Sequence, residues 1–203
     1  MQPLIECVPN FSEGQNPDTL EALAAAIRRV DEVQLLHVDP GASAHRTVFT
    51  FAGPPAAVVE AAFQAIRIAA DRIDMREHIG THPRMGATDV CPLIPLQWIT
   101  LGETAEWARR LGERVGAELN IPVYLYEAAA TAPHRRNLAR IRAGEYEGFR
   151  EKISHPDWQP DFGPTTFQPR VGQTVIGARD FLIAYNVNLN TIEASLAHEV
   201  ACD

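Results

Sequence analysis

Apolar residues recur along the chain at two spacings. Leu20, Leu23, Ala24 and Ile27 follow a helical period, as do Val59, Phe63, Ile66, Ala70 and Ile73, and later Trp107, Leu111 and Val115. Each set marks one face of an amphipathic helix. The ends of these helices are legible as well. Asn16 stands where an N-cap is expected, with Pro17 in the first turn. Gly53-Pro54-Pro55 opens the second helix. Thr100 and Glu103 form a capping-box pattern ahead of the third, and Asn120 and Pro122 end it. Shorter apolar runs predict strands at 4–8, 33–38, 47–51, 89–94 and 123–126, with a hairpin between the second and third. Pro92 points to an edge or broken strand at 89–94, because proline donates no ladder hydrogen bond.

The remaining segments are less regular. Residues 9–14 and Asp39-Pro40-Gly41-Ala42-Ser43 read as turns. Residues 134–142 predict a helix with Leu138 and Ile141 inward and Arg135, Arg136, Arg140 and Arg142 outward. Residues 156–172 carry four prolines and two glycines and read as a loop. A last strand is expected at 181–189, and a helix from Thr191 with Ile192, Leu196 and Val200 on one side. Alternating strands and helices with a hairpin-like pair place the chain in the α/β class, with a mixed sheet and helices mainly on one face. A strand and an open-ended helix after a long loop look like the start of a second unit. The expected division is therefore 1–178 and 179–203.

Composition narrows the function classes. The 203 residues are 46% hydrophobic and 22% charged, as in ordinary globular proteins. No window is apolar for the eighteen or more residues of a membrane helix. The net charge of −8 argues against a nucleic-acid surface, which gains from a basic balance. It leaves room for a small anionic ligand held by a local cluster. Lys152 is the one lysine; every other cation is arginine, whose planar fork pairs with carboxylates. Cys7, Cys91 and Cys202 are odd in number and far apart. With no basic n-region and apolar h-region at the start, they suggest a reducing, cytoplasmic compartment and no disulfide framework.

Candidate chemistry concentrates in residues 78–86, which hold two histidines, one arginine, one proline and two glycines. His82, beside Arg84, has the residue type for proton transfer near neutral pH. From composition alone, a plain loop histidine that caps a helix end or is solvated is the stronger reading. His78 and His82 have the spacing of two metal ligands, but Gly80 and Pro83 oppose a continuous helix, and no third ligand stands at a usual spacing. No metal site is expected. Asp39, with Arg46 after it, sits where a strand meets a turn, as ligand-positioning carboxylates and ordinary turn-formers both do. Thr165, Thr166, Phe167 and Arg170 would suit a flat ligand with an acidic tail; a linker would have the same composition.

Several longer strings carry a resemblance. Residues 7–14 (CVPNFSEG), 46–50 (RTVFT), 82–87 (HPRMGA), 122–126 (PVYLY), 161–164 (DFGP) and 177–186 (GARDFLIAYN) closely resemble glutamate formiminotransferase, from the start of the chain to about Leu189. The resemblance implies a ferredoxin-like N-terminal subdomain of an enzyme with two α/β subdomains, a homodimer. It implies transfer of a formimino group between N-formiminoglutamate and tetrahydrofolate in histidine degradation, with a formyl group instead in some members. Tetrahydrofolate would be a co-substrate. The catalytic histidine would match His82. The folate-contacting loop would match Gly163, Pro164, Thr165, Thr166, Phe167, Gln168, Pro169, Arg170, Val171 and Gly172. Arg84 or Arg46 would pair with a substrate carboxylate, and Asp39 would orient His82 or meet the pterin. The chain would end early in the second subdomain. A folate-binding or interaction protein without turnover is the alternative.

Overall fold

A computed structural model describes residues 2–183 and 189–202. Seven strands form one mixed sheet: β1 (Leu4–Cys7), β2 (Asn10–Phe11), β3 (Gln34–Gly41), β4 (Arg46–Gly53), β5 (Thr88–Gln97), β6 (Val123–Glu127) and β7 (Thr174–Ala178). The long helices are α1 (Pro17–Arg28), α2 (Pro55–Arg72) and α3 (Leu101–Leu119). Shorter ones are α4 (Leu138–Arg142), α5 (Glu145–Lys152) and α6 (Ala194–Cys202).

The strand order shows the plan. β3 pairs β4, β4 pairs β1, and β1 pairs β5, all antiparallel. With α1 between β1 and β3 and α2 between β4 and β5, this is the split β-α-β unit of a ferredoxin-like sheet. β7 and then β6 extend the sheet in parallel beyond β5, with α3 crossing over ahead of β6. The expected helix caps form. The Asn16 side chain accepts from the backbone N–H of Asp18 and Thr19. Thr100 and Glu103 close their capping box, and Asn120 ends α3 in the left-handed conformation. The main core lies between α1–α3 and one sheet face; Ile5, Phe11, Phe49, Phe51, Leu23, Ile66, Leu111 and Val115 are fully buried there. A second cluster, with Met85, Val90, Tyr124, Tyr126, Phe149 and Val175, sits under α4 and α5 on the other face.

Several elements differ from the sequence pattern. Pro92 lies in a central strand, not an edge. Its carbonyl accepts the Val8 N–H at 3.1 Å. In an extended strand its missing N–H faces the same way, toward the Val8–Pro9 break between β1 and β2, where the ladder is interrupted anyway. The 9–14 turn contains β2, and β3 runs through Asp39 and Pro40 to Gly41 before turning. The 134–142 helix is two pieces. A 3-10 turn spans Pro133–Arg135, and Asn137 caps α4 afresh by accepting from the Ala139 N–H. Helix α5 has too few apolar positions to show a clear period. Strand β7 was concealed behind the proline-rich loop. Phe181, Leu182 and Ile183 are exposed and form no strand; the rest of the predicted 181–189 strand, 184–188, lies outside the described residues. Helix α6 begins at Ala194, and Ile192, Leu196 and Val200 are exposed.

Cys7 and Cys91 are both buried, free and 3.5 Å apart at sulfur. Burial raises the Cys7 thiol well above its ordinary range, so it serves as a core residue.

Two loops are joined through glycine. Gly86, at the end of the 78–86 segment, forms a β-bridge with Gly172. A Cβ on Gly86 would stand 2.1 Å from the Gln173 carbonyl oxygen, and one on Gly172 would stand 2.3 Å from that of Met85. Both obstacles are backbone and cannot swing aside. Gly86→Ala is expected to lower unfolding free energy by about 2–3 kcal/mol or more, read by urea denaturation. Gly148→Ala, where nothing lies within 4 Å of the added methyl, is expected to leave stability unchanged or slightly raised.

Candidate active site around His82

Residues 78–86 lie between α2 and β5 and hold their shape through two separate sets of contacts. The first is built on His78, which is buried. Its ring stacks on His45, with centroids 4.3 Å apart and planes at 14°. Arg84 Nε–H donates to His78 Nδ1 at 3.2 Å, so the ring proton must sit on Nε2, which donates to the His45 carbonyl at 2.8 Å. Arg84 itself is fully engaged. Its two terminal nitrogens grip Glu147 of α5 at 2.9 and 2.7 Å, and one also reaches the His78 carbonyl. Both His45 ring nitrogens face acceptors, the Ile79 carbonyl and the Glu13 carboxylate. Arg84 is therefore a clamp between loop and helix, and His78 is a structural residue.

The second set surrounds His82, which is partly exposed. Its Nδ1 lies 2.6 Å from the Pro83 carbonyl oxygen. A carbonyl only accepts, so Nδ1 carries the proton and Nε2 is left with a free lone pair. Desolvation and the nearby Arg46 lower the His82 pKa, while Asp89 opposes them. The imidazole is thus held as a neutral base at physiological pH.

Arg46 comes from β4. Along that strand Thr47, Phe49 and Phe51 are buried toward the helices, which turns Arg46, Val48 and Thr50 to the opposite face. Among the described residues no hydrogen bond or ion pair engages the Arg46 guanidinium, and its Nε is buried without a partner. Desolvation lowers its pKa; Asp89 and Asp39 attract it and Arg142 repels it. Asp39 is paired in register with Val48 and shares that face, but it makes no hydrogen bond to His82. It is exposed at the rim of the cluster.

Sequence reasoning missed two members. Asp89 has no exposed surface, and Arg142, expected to face outward, donates to its Oδ2 at 2.6 Å. The sheet register explains Asp89. One step along β2, from Asn10 to Phe11, corresponds to two steps on β5, from Val90 to Thr88. Asp89 is the extra residue of a β-bulge, a device that re-aims a side chain. Arg135 also turns inward, pairing with Asp161 at 2.8 Å. An arginine-rich helix beside a buried carboxylate was the available signal, but only the fold reveals which arginine meets it.

The 163–172 loop is fixed at both ends. Gly163 has a φ of +82° and packs against Gly116 and the Ile121 carbonyl; Gly172 meets Gly86. The Val171 carbonyl accepts the Ala87 N–H at 2.8 Å, close to the end of the His82 loop. Between these points Thr165 and Thr166 are exposed, and Gln168 bonds back to Thr166. Phe167 leans on Tyr146, which also donates to the Pro169 carbonyl. Pro164 is half-buried. Arg170 faces elsewhere: it caps the last carbonyls of α2, at Ala70 and Asp71. None of these bonds reaches His82. A separate cleft of about 250 Å³, lined by Ser12, Glu13, His45, Asp74, Glu77 and His78 among others, contains neither His82 nor Arg46. No group of three or more His, Cys, Asp or Glu among the described residues is arranged to hold a metal ion, and no described helix is long and apolar enough to cross a membrane.

Residues 4–179 match the family described as the formiminotransferase domain, N-terminal subdomain. The chain belongs to this family. It is 46% identical to a glutamate formimidoyltransferase of Streptococcus pyogenes over 201 residues, 99% of this chain and 67% of that protein. It is 48% identical to a glutamate formimidoyltransferase of Thermoplasma acidophilum over 98% of the chain and 66% of the relative. It is 53% identical to a formimidoyltransferase-cyclodeaminase of Gallus gallus, where it spans 37% of the relative's length. Within this formiminotransferase N-terminal subdomain the His78 contacts make a pH test possible. Burial lowers the His78 pKa from its ordinary value, so the unfolded chain binds that proton more readily. This contribution to stability is complete above the unfolded value of about 6.5 and is lost as pH falls through the folded one. Unfolding free energy measured from pH 7 to 5 should fall more in the wild type than in His78→Gln.

Proposed function

We propose that this protein is an enzyme that transfers a formimino group between N-formiminoglutamate and tetrahydrofolate, with His82 carrying the proton. The observation that carries this reading is a neutral histidine near an arginine in a formiminotransferase subdomain, with the histidine Nε2 and the arginine both without a hydrogen-bonding partner among the described residues. The folate amine attacks the formimino carbon and a new carbon–nitrogen bond forms. His82 Nε2 takes the proton that the amine must lose. It returns that proton to the glutamate nitrogen as the old carbon–nitrogen bond breaks. Proton and electron counts balance without a further reactant.

Arg46, rather than Arg84, is the arginine free to bind a substrate carboxylate, because Arg84 is already bound to Glu147. An arginine without a partner in a half-buried site gains most from a bidentate anion. The 163–172 loop offers folate the exposed Thr165 and Thr166 and the Phe167 ring, with Asp39 at the far rim of the cluster. Gly163 and Gly172 hold that loop at its ends, and Pro164, Gln168, Pro169 and Val171 form its body. Residues 179–203, whose Ile192, Leu196 and Val200 are exposed, read as the start of a second subdomain. A homodimer, a cytoplasmic setting and a role in histidine degradation belong to the same proposal. Because the chain spans 37% to 67% of the relatives named above, folate binding without turnover is the competing reading.

Two measurements separate them. Titration with a folate, followed by tryptophan fluorescence, tests binding; release of glutamate from N-formiminoglutamate tests turnover. The wild type is expected to do both. His82→Gln should keep folate binding and lose about 10²-fold or more in kcat. Arg46→Gln should raise KM for the glutamate-bearing substrate about 10-fold or more, the value of a charge-assisted hydrogen bond. Near-normal turnover in His82→Gln would remove His82 from the reaction, and binding by the wild type with no turnover would favour the competing reading.

A further inference from the structure

We propose that Asp89 is the positioning residue of His82, fixing the backbone of its loop through one carboxylate oxygen and the surrounding arginines through the other. The role of the loop rests on the function proposed above; the role of Asp89 rests on contacts. Its Oδ1 accepts the Met85 N–H at 3.0 Å, three residues beyond His82. Its Oδ2 accepts from Arg142 at 2.6 Å. The bulge in β5 supplies both contacts at once, because a regular strand would send this side chain to the helix face with Cys91 and Leu93. Thus one buried carboxylate ties together the catalytic loop, the sheet and α4.

The charges acting on His82 come from three elements, Arg46 on β4, Asp89 on β5 and Arg142 on α4, and Asp39 on β3 acts on Arg46. Asp89 has no exposed surface and would be strongly disfavoured as an anion without its arginine. Arg142 satisfies that need, and Arg46 remains without a hydrogen-bonding partner among the described residues, free to meet a substrate. Asp89 therefore keeps two arginines close together while leaving one of them uncommitted. The end of α4 that carries Arg142 is capped by Lys152, whose ammonium donates to the carbonyls of Arg140, Ile141 and Ala143.

The test is an NMR titration of histidine-labelled 203-residue protein, with His82→Asn identifying the resonance. Asp89→Asn removes a negative charge and should move the His82 midpoint down by about half a pH unit or more. Met85 amide exchange should become about tenfold faster in Asp89→Asn, since a neutral amide oxygen accepts less strongly than a carboxylate. A purely structural role would lower stability without moving the His82 midpoint. An unchanged His82 midpoint in folded Asp89→Asn would overturn the proposal. If Asp89→Asn does not fold, Met85 amide exchange in the wild type decides it: protection supports the Oδ1 contact, and exchange as fast as that of an unprotected loop amide overturns it. Normal turnover in His82→Gln would refute the functional reading while leaving this titration result intact.

Discussion

The backbone bridge between Gly86 and Gly172 is the contact on which the site depends. It brings the end of the His82 loop against the end of the 163–172 loop, two segments eighty-odd residues apart in the chain. Neither position tolerates a side chain, because carbonyl oxygens occupy the places where Cβ atoms would go. The bridge continues in the Ala87 N–H to Val171 carbonyl bond and leads directly into β5 and β7, a parallel pair of the sheet. The loops are thus extensions of a rigid ladder, which is how a surface segment can hold a fixed geometry.

A division of labour follows among similar residues. Two histidines four apart have opposite roles because their surroundings differ. His78 is buried, stacked and bonded through both ring nitrogens, so it has no lone pair to offer. His82 uses one nitrogen on its neighbour's carbonyl and keeps the other. The arginines divide the same way. Arg84, Arg135, Arg142 and Arg170 are committed to Glu147, Asp161, Asp89 and the end of α2. Arg46 is left uncommitted among the described residues. An acidic protein therefore presents a local cationic site because Arg46 is left over once these four arginines are engaged.

Much of the scaffold was legible in the sequence. The three long helices follow from apolar spacing, and their ends from Asn16, Pro17, Thr100, Glu103 and Asn120, since capping is local chemistry. The β3–β4 hairpin was legible for the same reason. What could not be read depended on partners distant in the chain. Pro92 sits in a central strand only because the break at Val8–Pro9 lies opposite it. Asp89 faces the site only because β5 has one more residue than β2 between two pairings. Arg142 turns inward only because that carboxylate awaits it. His82 was legible as a candidate from its loop, but not Arg46 in preference to Arg84; that choice needed Glu147, sixty-three residues further on.

The central claim is that His82 and Arg46, not the nearby His78 and His45 pair, meet the substrates. Chemical-shift mapping of labelled histidine and arginine side chains during addition of a folate and of glutamate tests it most directly. The account predicts that His82 Nε2 and Arg46 Nε respond, while the His78 and His45 rings remain unmoved. A response confined to His78 and His45, with His82 and Arg46 silent, would contradict it.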